Sequence, residues 1–210
     1  MSLSLSSIIS KTAMAAMLSI TTLARWKMAG SWRPPSSSSF SSRVSGSTVC
    51  CFLDIDGVLN PVSLRLLPQL DPYLNQKIAE KSGNNAYLEL SSSTLHLVCK
   101  CWDKGAGRLL DHFCREENMQ IVISSSWGIF YSLAKLKLLF AIHKMDDLLI
   151  DTTPYIGRRH ENILGYVHAH QEISAWVTLD DLDMSHYLKN HCVTTKRVLQ
   201  KEDIMKAKQL

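Results

Sequence analysis

The sequence predicts an α/β fold, an open parallel β-sheet with helices on both of its faces. Two observations support this prediction. From residue 50 onward, short apolar runs alternate with longer segments in which apolar residues recur at helical spacing. The short runs are rich in β-branched and aromatic residues, which is typical of strands. Because a connection between parallel strands must cross a face of the sheet, regular alternation of strands and helices favours a parallel sheet.

The individual elements follow in order along the chain. Four apolar runs are predicted to be strands, the last of them weaker than the others: 49–53, 120–124, 175–179 and 192–194. A further short apolar run lies at 148–150. Four segments are predicted to contain helices: 74–81, 109–114, 130–140 and 163–167. Ligands are expected at the carboxyl ends of the strands, where open α/β sheets bind them.

The chain is predicted to consist of a leader, residues 1–48, and one domain, residues 49–210. The first 49 residues contain no Asp or Glu, five Lys or Arg and many serines, a composition typical of organelle transit peptides. The leader is either such a peptide, which implies a mitochondrial or plastid location, or a disordered segment of a cytoplasmic protein. Residues 61–103 have an irregular pattern and are predicted to form an insertion or lid after the first strand.

The overall charge of the domain gives no argument for nucleic-acid binding. The chain has 23 Lys and Arg against 19 Asp and Glu, and removal of the leader's five bases leaves 18 against 19. No apolar stretch is long enough to span a bilayer, so no stable membrane association is expected. The six cysteines lack the paired spacing of a zinc site, and a reducing compartment is the simpler interpretation. The sequence leaves the oligomeric state open.

Two acidic residues follow the first predicted strand, in the segment CFLDIDGVLN at 51–60. Side chains alternate along a strand, so Asp54 and Asp56 point to the same side, roughly 6 to 7 Å apart. Two carboxylates held together in a crevice repel each other, and a cation that prefers oxygen ligands, such as Mg²⁺, relieves that repulsion. Gly57 then allows a sharp turn out of the sheet. The alternative, two acids that cap a helix or reach solvent, is disfavoured by the apolar residues before them and the Gly-Val-Leu-Asn after them.

Four segments resemble, in order, the motifs of the haloacid-dehalogenase (HAD) superfamily. FLDIDGVLN resembles the first motif, IVISSSW the second, GRRHENI the third and WVTLDD the fourth. A narrower resemblance is carried by LDIDGVLN, SSSW, TP…RR.EN.L and W..LDD.D and covers about residues 50–200. That pattern is similar to the HAD domain of Swiss Army Knife RNA repair proteins, which implies a three-layer Rossmann-like fold. The chain departs from it at Gly128 and His160, two positions that the resemblance places near the substrate.

The resemblance assigns roles to four acidic residues. Asp54 would be the nucleophile and Asp56 the general acid and base. A Mg²⁺ ion would be held by Asp54, by the main-chain carbonyl of Asp56 and by the acids of the fourth motif. Of these acids, Asp181 is the preferred direct ligand, and Asp180 is expected to act through a water or from outside the coordination sphere.

The second and third motifs would bind the phosphoryl group. Ser125 is the preferred partner of a phosphoryl oxygen. Ser124 takes that place if the motif is aligned one residue earlier. Arg159, or Arg158 in the alternative register, would stabilise the charge on the transferred group. For Trp127, packing in the core is favoured over stacking on a base.

The function implied by the resemblance is that of a Mg²⁺-dependent phosphomonoesterase acting through an aspartyl-phosphate. Its substrate would be phosphorylated, with RNA or DNA ends or nucleotides as the favoured class. Two alternatives stay open: a phosphatase of small metabolites, and a non-catalytic module that keeps the fold for binding.

Overall fold

The computed structural model describes residues 47–61 and 70–210. In this part of the chain, five strands form a single sheet in which every neighbouring pair is parallel. The strands are β1 (Thr48–Leu53), β2 (Met119–Ile123), β3 (Leu149–Thr152), β4 (Ile173–Asp180) and β5 (Cys192–Thr194). Their order across the sheet is β3-β2-β1-β4-β5, which places β1 in the centre. The four predicted strands are confirmed, and the apolar run at 148–150 contributes to β3.

Helices occupy the segments between the strands. The α-helices of the described residues are α1 (Leu74–Ser82), α2 (Ser92–His96), α3 (Lys104–Glu116), α4 (Trp127–Phe130), α5 (Leu133–Ala141), α6 (Arg159–Ala169), α7 (Ser185–Leu188) and α8 (Lys201–Ala207). Shorter 3₁₀ turns lie at Asn85–Glu89 and Lys189–His191, and a π-helical turn lies at Leu97–Cys101.

Both faces of the sheet are covered. Along β1, Cys51 and Leu53 point into one apolar core, whereas Cys50 and Phe52 point into a second. The first core contains apolar residues of α3, α5 and α8, and the second contains those of α6 and α7. Burial on both faces explains why β1 reads as a continuous apolar run instead of an alternating one. The predicted α/β fold, with a parallel sheet between two helical layers, is confirmed.

The apolar spacing predicts one helix through 130–140, but the structure contains two. Phe130 ends α4 and is 56% exposed, so it does not belong to the buried stripe that continues along α5. Tyr131 has an extended backbone, and the Ser132 hydroxyl caps the new helix by accepting the N–H of Lys135 at 3.4 Å. A serine cap supplies a partner for an otherwise free N–H and so favours a fresh helix start here.

A smaller difference concerns the apolar face of α6. Ile163, Leu164 and Val167 mark the predicted helix, but Leu164 is 42% exposed. Ile163 and Tyr166 form the buried face instead. Tyr166 packs edge to face against Phe52, with ring centroids 5.7 Å apart, and this contact sets the rotation of the helix.

The predicted leader lies outside the described residues, apart from Ser47 and Thr48. Of the predicted insertion at 61–103, residues 62–69 also lie outside them. The remainder carries α1, α2 and two short turns, and it contributes Tyr87, Leu95 and Val98 to the first core. Among the described residues, none of the helices has the length and apolarity needed to cross a membrane.

Candidate active site

The carboxyl ends of β1 and β4 bring together three acidic side chains. Asp54 directly follows β1, and its N–H donates to the carbonyl of Leu179 in β4 at 3.0 Å. Asp180 ends β4 and is followed by Asp181. Asp54 and Asp180 are buried, whereas Asp181 is exposed. One carboxylate oxygen from each of the three lies within 4.8 Å of the others.

The turn after β1 fits against Asp181 because of a glycine. Gly57 has φ +84°, a conformation that residues with a side chain rarely adopt. A Cβ at this position would lie 2.5 Å from the Cβ of Asp181, so a side chain would displace the acid. The turn is held from the other side by Thr195, whose hydroxyl donates to the carbonyl of Gly57 at 2.7 Å. Thr195 follows β5 and had no predicted role.

A single arginine links two of the acids. Nη1 of Arg159, at the start of α6, lies 2.6 Å from Oδ2 of Asp54 and 2.8 Å from each carboxylate oxygen of Asp180. The preceding Arg158 is exposed, and its main-chain N–H donates to Oε2 of Glu161 at 2.7 Å. The structure therefore brings Arg159 into the acidic cluster and leaves the Arg158 side chain outside it.

Burial is the largest influence on the pKa values of this cluster. It raises the pKa of Asp180 to about 6, with Arg159 opposing the rise and the charge of Asp54 adding to it. Burial also raises the pKa of Asp54, against the effects of Arg159 and Ser125. For Arg159, burial lowers the pKa, but Asp180 and Asp54 outweigh it and the net shift is upward. The guanidinium thus stays charged, while both buried carboxylates would be favoured in their ionised form by a further cation.

The donor set of the cluster fits Mg²⁺. Three carboxylates and one guanidinium leave two net negative charges, which a divalent cation would balance. Carboxylate oxygens are the hard ligands that Mg²⁺ prefers. Both oxygens of Asp180 already accept hydrogen bonds from Arg159, and Oδ1 also accepts the N–H of Leu182 at 2.9 Å. Both oxygens of Asp54 are also occupied, Oδ1 by the N–H of Ile55 at 2.8 Å and Oδ2 by Arg159, so Asp181 is the most available ligand of the three.

The serines after β2 lie beside Asp54. The N–H of Ser124 donates to the carbonyl of Leu53 at 2.9 Å, which aligns the end of β2 with the end of β1. The Ser125 hydroxyl is near enough to the Asp54 carboxylate to lower the pKa of that acid. The Ser124 hydroxyl is buried and has no hydrogen-bond partner within the part of the chain that the structure describes. Ser125 is thus placed at the candidate nucleophile, and Ser124 is held beside the end of β1 by its main chain.

The carboxylate of Asp56 lies apart from the three clustered acids and has different partners. Its Oδ2 accepts the indole N–H of Trp127 at 2.9 Å, and its Oδ1 accepts the side-chain amide of Asn60 at 2.6 Å. Trp127 is 8% exposed, as expected for a core residue, but sequence reasoning missed its hydrogen bond. The available signal was an indole N–H at a strand end, which needs an acceptor once it is buried.

One of the two departures from the family pattern has a visible contact. The ring of His160, next to Arg159, stacks on Tyr187 of α7 with ring centroids 3.9 Å apart and an interplanar angle of 7°. This stack joins the start of α6 to the segment that follows Asp181. His160 therefore lies at the edge of the site, outside the acidic cluster.

Comparison with known proteins identifies the family. Residues 50–204 match the model of the HAD domain in Swiss Army Knife RNA repair proteins. No curated protein and no solved structure matches the chain. The match extends from β1 to α8 and so includes every element of the site described above. The resemblance carried by the sequence motifs is thereby confirmed, and this chain belongs to the family of HAD domains found in Swiss Army Knife RNA repair proteins.

Proposed function

We propose that this protein is a Mg²⁺-dependent phosphomonoesterase in which Asp54 attacks phosphorus. Membership of the HAD family indicates a hydrolase or phosphatase in general, with a phosphorylated substrate. The observation that carries the more specific proposal is the buried pair of Asp54 and Asp180, held by Arg159 beside the exposed Asp181. Such an arrangement presents a carboxylate nucleophile next to oxygen ligands for a cation, at the strand ends where substrates bind.

In the first half-reaction, an oxygen of Asp54 forms a bond to phosphorus and the bond from phosphorus to the leaving oxygen breaks. Asp56 gives its proton to that leaving oxygen. In the second half-reaction, water attacks phosphorus, Asp56 accepts the proton of the water, and the bond from phosphorus to Asp54 breaks. Inorganic phosphate leaves, and both aspartates return to their starting states.

Other residues bind and orient the phosphoryl group. A bound Mg²⁺, held by Asp54, Asp181 and the main-chain carbonyl of Asp56, would supply positive charge that offsets the repulsion between phosphate and carboxylates. The guanidinium of Arg159 stabilises the ionised form of the nucleophile and adds positive charge at the phosphoryl oxygens. The hydroxyl of Ser125, which lies beside Asp54, is a donor for one of those oxygens, and Ser124 is the alternative.

The experiment that tests this proposal is turnover of a panel of phosphomonoesters with Mg²⁺, and with EDTA in its place. We expect phosphate release with Mg²⁺ and a loss of at least about 100-fold in EDTA, because the cation offsets several kcal/mol of charge repulsion. Full activity in EDTA would contradict the metal dependence. No release from any ester, by protein that is folded and binds Mg²⁺, would favour the non-catalytic alternative.

We further propose that the substrate is the phosphorylated end of a nucleic acid, as the family's description suggests. Support comes from two exposed cations, Lys196 and Arg197, that form no ion pair among residues 47–61 and 70–210. Their segment is anchored to the catalytic turn at both ends. On one side is the bond from Thr195 to Gly57, and on the other the N–H of Leu199 donates to the carbonyl of Val58 at 2.9 Å. Cations on a segment tied to the catalytic turn are suited to bind the next phosphates of a strand whose terminal phosphate occupies the site.

A double substitution, Lys196→Ala with Arg197→Ala, tests this substrate class. For a phosphorylated oligonucleotide we expect KM to rise about 10-fold and the slope of log KM against log salt to fall by about 1.4, since two phosphate contacts are lost. The KM of a mononucleotide should stay within about twofold, and Lys137→Ala on the exposed face of α5 serves as the matched control. Equal effects on both substrates, or none, would favour a small-metabolite phosphatase.

A further inference from the structure

The two aspartates of the first motif have different kinds of hydrogen-bond partner. Oδ2 of Asp54 contacts the cationic Nη1 of Arg159 at 2.6 Å. Asp56 instead accepts one hydrogen bond from a neutral donor at each oxygen, Trp127 Nε1 at 2.9 Å and Asn60 Nδ2 at 2.6 Å. The partners of Asp56 therefore fix its orientation without pairing its charge.

The direction of the indole N–H is fixed by packing around the ring. Trp127 is 8% exposed, and its ring packs against those of Trp102, at a centroid distance of 6.0 Å, and Tyr131, at 5.5 Å. Its main-chain N–H is directed to the Ser125 hydroxyl at 3.4 Å. A buried ring packed against two others cannot rotate freely, so the position of its N–H is defined by the core and not by solvent.

The geometry leaves Asp56 able to exchange a proton. A carboxylate oxygen has two lone pairs, and each oxygen of Asp56 uses one of them for the hydrogen bond from Trp127 or Asn60. One position per oxygen thus remains for the proton that passes to the leaving group or comes from water. An indole N–H can donate but cannot accept, so Trp127 does not compete for that proton.

We infer that Trp127 is a positioning residue that aims Asp56 at the leaving oxygen of the substrate. The inference rests on the proposed phosphatase function and assigns a residue that the family motifs leave without a role. Trp127 belongs to α4, after β2, whereas Asp56 follows β1, so the bond also ties the phosphate-binding serines to the acid. Misplacement of a catalytic group by a fraction of an ångström is costly for proton transfer, which depends on hydrogen-bond geometry.

The test is Trp127→Phe, which keeps an aromatic ring in the core and removes the N–H. Its matched control is Trp176→Phe, because Trp176 also packs against aromatic rings, those of Phe52 and His191, but belongs to the second core, away from Trp127. Each variant is compared with the wild type on an aryl ester, p-nitrophenyl phosphate, and an alkyl ester, glycerol phosphate. The aryl leaving group departs without help from an acid, but the alkoxide needs a proton as it leaves.

For Trp127→Phe we expect kcat/KM on the alkyl ester to fall about 10- to 100-fold and kcat/KM on the aryl ester to change much less, because kcat/KM reports the steps up to departure of the leaving group and not the second half-reaction, which both esters share. Trp176→Phe should leave the ratio of the two kcat/KM values unchanged. Equal losses on both esters, or the same selectivity in the control, would overturn the inference. An inactive wild type would refute the phosphatase proposal, and the inference with it.

A second measurement does not depend on turnover. In protein labelled at the indole nitrogens, the resonance absent from Trp127→Phe identifies the Trp127 N–H. We expect this N–H to be protected from exchange with solvent in the wild type and to lose protection in Asp56→Ala. Unchanged exchange in Asp56→Ala would overturn the hydrogen bond on which the inference is built.

Discussion

Replacement of Asp54 by asparagine is expected to lower phosphate release by roughly 10⁴-fold or more, the order found when a nucleophile is removed from a catalytic unit. An amide nitrogen or oxygen cannot form the acyl-phosphate that divides the reaction into two easier steps. The fold should survive, because the asparagine still offers an oxygen to Arg159, and Arg159 keeps both of its contacts with Asp180. The measurement is kcat on the best ester of the panel, with the melting temperature recorded beside it.

The control for this variant is Asp183→Asn. Asp183 also follows β4, but its Oδ1 accepts hydrogen bonds from the N–H and the hydroxyl of Ser185 at 3.0 and 2.6 Å and takes no part in the acidic cluster. We expect its activity to stay within about threefold of the wild type, as for a surface change away from the site. If Asp54→Asn retained as much activity as Asp183→Asn, Asp54 would not be the nucleophile.

Replacement of Arg159 is expected to have a large effect on the stability of the protein. In EDTA, Arg159→Ala is expected to lower the free energy of unfolding by about 3 to 5 kcal/mol, because it leaves two buried carboxylates without their counter-charge. Asp54 and Asp180 have side chains only 4% and 0% exposed, so water cannot replace the guanidinium. Added Mg²⁺ should restore part of the loss, and should stabilise the variant more than the wild type, because it binds the folded acidic cluster.

Arg158→Ala is the matched control, one residue earlier and exposed. Its loss of unfolding free energy should be no more than about 0.5 kcal/mol, since its side chain lies outside the cluster. Urea unfolding of both variants, with EDTA and with Mg²⁺, gives the comparison. Equal losses in the two variants, or an Arg159→Ala protein as stable as the wild type in EDTA, would mean that Arg159 does not hold the acids together.

The fold could be predicted because its signals are local. Each strand is a short apolar run, and β1 is apolar throughout since Cys50 and Cys51 are buried on opposite faces. Where the position of a helix end or of a buried helix face differs from the prediction, a cap or a tertiary contact explains the difference. The exposed Phe130 follows the apolar spacing, but the cap at Ser132 starts a new helix after it.

The site could be predicted only in part, because its remaining details depend on direction in space. The sequence places Asp54 and Asp180 at strand ends, but in a pair such as Arg158 and Arg159 it cannot tell which side chain points inward. Successive residues at a helix start are rotated by about 100° from each other, so one register enters the cluster and the other faces solvent. The hydrogen bond from Trp127 to Asp56 joins residues 71 positions apart, so no local sequence pattern predicts it.

The account depends on a covalent bond between phosphorus and Asp54, and a trapping experiment tests that bond most directly. Protein mixed with a radiolabelled phosphomonoester and Mg²⁺ is quenched in acid, digested, and its labelled peptides are sequenced, with borohydride reduction to convert an aspartyl-phosphate into homoserine. The account predicts label, and then homoserine, at residue 54 in the wild type, and neither in Asp54→Asn. Label on another residue of the wild type would contradict it. So would the absence of labelled protein both in an active wild type and in Asp56→Asn, in which the second half-reaction is slowed.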